Sequence, residues 1–143
     1  MDGLDVDKAR VRWSYLTTVN LIKHLFSRHP HRDQFSSSCT WPGLSGREYH
    51  YQIYPLSAVF KPLPGIYIYA EQLADGTWIP VYIAATRDLH QRLEGHVTVQ
   101  DAIADGATHI HAHYCTAGQS ARCAEERDLL AHWRPVRNEQ FQN

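Results

Sequence analysis

Three imidazoles alternate at His109-x-His111-x-His113. A strand directs alternate residues to one face, so all three would share a side. Imidazoles on one face are the donor type of a zinc site, and a zinc hydrolase is the activity that would follow. Same-face neighbours, however, lie roughly 6.5–7 Å apart along a strand. Three of them in a row rarely converge on one tetrahedral ion, and a polar strand face is the plainer expectation. Cys115 falls at even spacing from these histidines and Cys123 follows it. Either thiol beside a His is the pairing of a cysteine nucleophile, although a lone Cys ordinarily packs as a small apolar residue. A second set is spread along the chain: Tyr67, Tyr82, Arg92, His96, Glu126 and Asn138, in that order. Taken singly, each has a bland reading, since hairpin tyrosines fill cores and helical glutamates face water.

The elements that would carry these residues are legible from local pattern. Gly65 to Ala70 and Trp78 to Ile83 read as β-branched and aromatic strands. Asp75-Gly76 between them is a hairpin signal. Asp88 to His96 and Thr98 to Ala104 read as short helices, and Thr108 to Cys115 alternates like a strand. Ser120 to Trp133 reads as a longer helix that must end before Pro135. Upstream, residues 8–28 repeat apolar positions at spacings of three and four, the stripe of an amphipathic helix that Pro30 would stop. The Ser, Pro and Gly residues between His31 and Arg47 read as a surface loop, and Tyr49 to Tyr54 as a short extended piece. The fold class expected is α/β (α+β): a central antiparallel three-stranded sheet flanked by helices, residues 64–143, with residues 1–63 as a helical and looped extension of the same compact unit.

Read in order, Gly65-Ile66-Tyr67, Tyr82-Ile83-Ala84, Arg92, Glu126 and Asn138 resemble the GIY-YIG nuclease superfamily. The run from Tyr82 to His96 is similar to Y-I-G-x-[ST]-x-[DN]-L-x-x-R-x-x-x-H. The run from Glu126 to Asn138 is similar to E-x-x-L-I-x-x-x-x-P-x-x-N. The likeness covers about residues 64–139, and it departs from the pattern at Ala84, where the motif has glycine. Alanine is tolerable there if the backbone is β-like and strained if φ is positive. The interval between the two tyrosine motifs is also slightly long, which a longer hairpin absorbs.

That resemblance implies a Mg²⁺-dependent endonuclease acting on DNA phosphodiester bonds, with Mn²⁺ as a substitute. Glu126 would be the metal ligand, a lone carboxylate with several waters being typical of Mg²⁺. Arg92 would offer a fixed cation to charge developing on the phosphoryl oxygens. Tyr67, with Tyr82 beside it, would orient or deprotonate the attacking water. A phenol of pKa near 10 needs help from Arg92, His96 or a metal to act as a base at neutral pH. Asn138 would close the site by hydrogen bonding. The alternative is a catalytically degenerate nucleic-acid-binding module of the same fold, with Ala84 as the symptom.

Composition is compatible with both. The 143 residues, 43% hydrophobic and 20% charged, describe one globular domain rather than a disordered chain. No apolar run is long enough for a membrane span, and the acidic start has no secretory h-region. Three cysteines without a C-x-x-C pair argue against a disulfide framework and point to a reducing, cytoplasmic setting. The net charge of −1 conceals an uneven distribution. Lys8, Arg10, Arg12, Lys23, Arg28 and Arg32 occupy a stretch with no acidic residue, an expected polyanion-binding arm. One basic arm is little charge to envelop a duplex, and Trp41, Tyr49, Tyr51, Tyr54 and Trp78 are candidates for stacking on unpaired bases. Single-stranded DNA is therefore the favoured partner, with no protein partner implied.

Overall fold

Alternation of side chains builds one five-stranded antiparallel sheet with strand order β1-β2-β5-β3-β4. The computed structural model describes residues 37–94 and 96–140, with the backbone alone for His96, Val97, Thr98 and Gln140. The strands are β1 (Ser37–Pro42), β2 (Glu48–Pro55), β3 (Gly65–Gln72), β4 (Trp78–Thr86) and β5 (His109–Tyr114). The helices are α1 (Leu89–Leu93), α2 (His96–Ala104), α3 (Gln119–Trp133) and α4 (Val136–Gln140). None of the described helices is long and apolar enough to cross a membrane.

The expected three-stranded sheet is thus a five-stranded one. Strands β5, β3 and β4 form the anticipated unit, and the hairpin β1–β2 extends it through β2–β5 pairing. Part of the segment read as a loop is strand β1, paired from Ser37↔Ile53 to Pro42↔Glu48. Its serines carry no local strand signal, and as an edge strand it can end on a proline. Pairing and the burial of Trp41 outweigh local propensity here.

Pairing register sorts the side chains into two cores. One face carries Tyr67, Tyr69, Ala84, Ile110 and Ala112, covered by Leu89, Leu93, Ala102 and Phe60. The other carries Trp41, Tyr51, Ile66, Ile68 and Ile83, covered by Leu129 with Leu130 and Trp133 of α3. Strand β3 is an interior strand, between β5 and β4, and is buried from Gly65 to Glu71. Each fully buried aliphatic side chain there contributes on the order of 1.5–3 kcal/mol.

Two glycines are required by close approach. A Cβ on Gly65 would lie 2.5 Å from both the His113 carbonyl oxygen and Leu89 Cδ1. A Cβ on Gly43 would lie 2.1 Å from Asp128 Oδ2. Asp128 needs that space, because its carboxylate accepts from Ser45 N (2.8 Å), Ser45 Oγ (2.6 Å) and Tyr49 Oη (2.8 Å). These bonds fasten the β1–β2 turn to α3. At its C-terminal end α3 stops where Arg134 adopts a left-handed conformation (φ 45°) and donates back to the Leu130 carbonyl. Pro135 then cannot continue the ladder, as its position in the sequence implies.

Candidate active site

The β3–β4 hairpin sets two tyrosines on one face. Tyr67 pairs with Ala84 and Tyr69 with Tyr82, so the small Ala84 side chain stands opposite the Tyr67 ring. A register shift between Tyr69 and Ala70 takes up the surplus residue on β4. That bulge keeps both motif tyrosines on the same side despite the longer hairpin. The rings of Tyr67 and Tyr82 lie 6.1 Å apart. Ala84 is buried in a strand and is not among the positive-φ residues, so its methyl causes no backbone strain.

Helix α1 brings the cation. Asp88 caps it by accepting from Gln91 N, and Leu89 and Leu93 anchor it in the core. Arg92, on the outer side, donates from Nε to Tyr67 Oη at 3.2 Å. Tyr67 is fully buried, and burial pushes its phenol up to about 12, with the Arg92 hydrogen bond pulling the other way. The nearby Tyr82 and the charge of Glu126 raise it too, so Arg92, Tyr82 and Glu126 are all within electrostatic reach of this phenol.

The carboxylate and the amide arrive at the free edge of β4. Glu126 on α3 accepts from Ala85 N–H at 2.8 Å. Asn138 on α4 accepts from Ile83 N–H at 2.9 Å and donates to the Ile83 carbonyl at 2.8 Å. Edge-strand groups that would otherwise stay unpaired are thereby covered. Asn138 uses both ends of its amide on the strand and so acts as a positioning residue. Asn138→Ala is expected to lower stability by about 1–3 kcal/mol, as read from urea unfolding. An unchanged midpoint would show that the edge needs no such clamp.

Of the sequence-derived candidates, Tyr67, Tyr82, Arg92 and Glu126 are brought together, with Asn138 behind them on the edge strand. The side chain of His96 lies outside the described residues, as do Lys8, Arg10, Arg12, Lys23, Arg28 and Arg32 with their expected helix. A groove of about 230 Å³ lined by Leu56, Val59, Phe60, His90, Leu93 and Val99, among others, contains none of the four.

The alternating histidines share a face but not a fate. His109 bonds Thr108 Oγ1 (2.9 Å) and meets the Trp78 ring edge-on. His111 is completely buried, and its Nδ1 accepts from Trp41 Nε1 at 3.0 Å. Burial depresses it to about 3, so it stays neutral, with Cys39 Sγ 3.1 Å from the same nitrogen. His113 bonds Glu125 Oε1 through Nε2 at 2.6 Å and the Tyr114 carbonyl through Nδ1 at 3.1 Å. Each ring makes its hydrogen bond to a different neighbour, and among the described residues no group of three His, Cys, Asp or Glu side chains is placed to hold a metal. Cys39, rather than Cys115 or Cys123, is the thiol recorded against a histidine, and burial pushes it up to about 11, away from a thiolate.

Sequence reasoning missed the pairing of Tyr51 and His113 on Glu125. Tyr51 Oη donates to the same Glu125 oxygen at 2.7 Å. Burial draws His113 down, but the hydrogen bond and charge of Glu125 and the Tyr114 carbonyl outweigh it, for a net rise above 6.5. Folding therefore favours the imidazolium. Its stabilisation is complete below the ordinary value and disappears as pH climbs through the raised one. Thermal unfolding followed from about pH 5 to 9 should show this loss, and His113→Gln should flatten it. A His113→Gln profile identical to wild type would remove the pair from the stability balance.

No family model matches the chain, and no curated protein or solved structure matches it either.

Proposed function

We infer that the chain is a divalent-metal-dependent endonuclease of the GIY-YIG type that hydrolyses DNA phosphodiester bonds. The observation that carries this reading is the hydrogen bond from Arg92 Nε to Tyr67 Oη, with the charge of Glu126 reaching the same buried phenol. A fixed guanidinium and a phenol meet there, and a single carboxylate from a third element, held at the β4 edge, lies within electrostatic reach. Phosphoryl transfer asks for little covalent chemistry from a protein and much positioning of charge.

Tyr67 works here as a neutral phenol. With its pKa near 12 the phenolate is scarce at neutral pH. Its oxygen accepts from Arg92, which leaves the phenolic hydrogen available to donate to a group bound beside Arg92. Arg92 faces the charge that develops on the phosphoryl group. Glu126 has one oxygen held by Ala85 N–H, which fixes the carboxylate at the strand edge. That donor set suits Mg²⁺, which takes one or two carboxylates and fills its remaining positions with water and phosphate oxygens. Bound at Glu126, the ion supplies charge neutralisation to the phosphoryl oxygens.

Ala84 gives no support to a degenerate site, since it sits unstrained in its strand. Of the aromatics considered for base stacking, Trp41 and Tyr51 are core residues. The proposal of single-stranded DNA as first substrate therefore rests on the chain's net charge of −1 and its single basic segment. Labelled single-stranded, duplex and hairpin DNA and matching RNA, incubated with Mg²⁺, Mn²⁺ or EDTA, test the reading. Cleavage of DNA with either metal and none with EDTA is expected. Binding without cleavage under every condition would establish the binding-module alternative instead.

A further inference from the structure

Helix α1 cannot hold itself in place. It has five residues, and isolated helices far longer than that are unstable in water. Leu89 and Leu93 anchor its inner side in the core. At 3.6 residues per turn, His90 and Arg92 project roughly 160° apart, toward opposite flanks. Arg92 meets Tyr67 on one flank. On the other lies the groove of about 230 Å³, walled by His90, Leu93 and Glu94 of α1 and by Leu56 to Phe60 of the preceding segment.

Side chains do not fill that groove, so hydrogen bonds must set the distance between α1 and the segment facing it. Two bonds cross to the segment. Leu89 N–H donates to the Leu63 carbonyl at 3.0 Å. The half-buried His90 ring places Nδ1 3.0 Å from the Phe60 carbonyl oxygen. A carbonyl oxygen only accepts, so Nδ1 carries the hydrogen and donates it. Nε2 faces Glu94 Oε2 at 3.3 Å, but these side chains are 38% and 70% exposed, and a pair so open to water contributes little. The bond to Phe60 is the one that matters. Arg92, meanwhile, tolerates little movement. Its 3.2 Å contact with Tyr67 Oη is at the long limit of an N–H···O bond, and a shift of α1 by roughly 0.5 Å toward the groove would part them.

We propose that His90 is the positioning residue of Arg92: its bond to the Phe60 carbonyl braces α1 across the open groove and keeps the guanidinium on Tyr67, where the phosphoryl group is received. The phosphoryl group rests on the nuclease reading, whereas the brace itself does not.

The test compares the full chain with His90→Ala, His90→Asn and His90→Gln. Asparagine carries its amide nitrogen as many bonds from Cα as Nδ1 and can donate in its place, whereas glutamine reaches one bond further. His90→Ala should cleave DNA about tenfold more slowly in single turnover while binding it as wild type does. Hydrogen exchange at the Leu89 amide should quicken about tenfold, with the amides of β3 and β5 unaffected. His90→Asn should recover most of both losses, and His90→Gln should not. On an Arg92→Ala background His90→Ala should add no further loss, because the brace acts through that guanidinium.

A His90→Ala protein that cuts at the wild-type rate overturns the proposal, as does a loss that repeats in full without Arg92. Exchange quickened throughout the sheet also overturns it, being the mark of general destabilisation. If His90→Ala does not fold, the two amides decide: faster cleavage by His90→Asn than by His90→Gln upholds the brace, and equal rates overturn it. A wild type that cuts nothing sinks the nuclease reading alone. Leu89 exchange then decides the brace, which stands if His90→Ala exchanges faster than His90→Asn and falls if the two are equal.

Discussion

Glu126→Gln is expected to fold and to bind DNA as the wild type does, while cleaving it on the order of 10³-fold more slowly. The substitution is unusually clean at this position. Ala85 N–H is met by a carboxylate oxygen at 2.8 Å, and the carbonyl oxygen of glutamine can accept the same bond. The strand edge therefore stays covered, and only the charge is lost. Glu126→Ala removes both, so it should add a stability loss of about 1 kcal/mol to the same catalytic defect. Single-turnover cleavage with saturating Mg²⁺, read beside thermal unfolding, separates the two effects. Near wild-type cleavage by Glu126→Gln would relocate the metal to another residue and leave Glu126 as an edge clamp.

The difference between these variants shows what could be read from residue order. The β3–β4 hairpin was legible because β-branched and aromatic runs flank Asp75-Gly76, signals that act over a few residues. The end of α3 was legible because Pro135 lacks a ladder donor. Strand β1 was not, since nothing in Ser37-Ser38 favours extension, and its conformation is imposed by β2 and by the burial of Trp41. The same contrast divides the candidate site. Tyr67, Tyr82, Arg92 and Glu126 were selected by motif order, but the hydrogen bond from Arg92 to Tyr67 depends on how α1 seats in the core. For the three histidines the shared face followed from strand parity. Their separate fates depend on Trp41, Trp78 and Glu125, which other elements supply.

Arg92→Ala should slow cleavage on the order of 10²-fold, the usual loss when one donor to a developing oxyanion is removed. Arg92 lies at the surface of a helix whose core anchors are Leu89 and Leu93, so the fold should survive its truncation. The more informative readout is the pH–rate profile. Burial already pushes Tyr67 up to about 12, and the Arg92 hydrogen bond is the largest influence acting against it. Removing Arg92 sends the phenol higher still. If Tyr67 acts as a neutral phenol, its protonation state is the same in both proteins near neutrality. The rate then drops without a change in the shape of the profile. Were Tyr67 a phenolate base, wild-type cleavage would climb with pH toward 12, and Arg92→Ala would displace that limb upward. Arg92→Lys restores a charge but not the Nε–H that meets Tyr67, so it should recover only part of the loss. Tyr67→Phe completes the comparison, since it deletes the phenol and leaves Arg92 in place. A Tyr67→Phe protein as fast as wild type would reduce the pair to packing, whereas Arg92→Ala with unchanged turnover and weaker DNA binding would make Arg92 a substrate anchor.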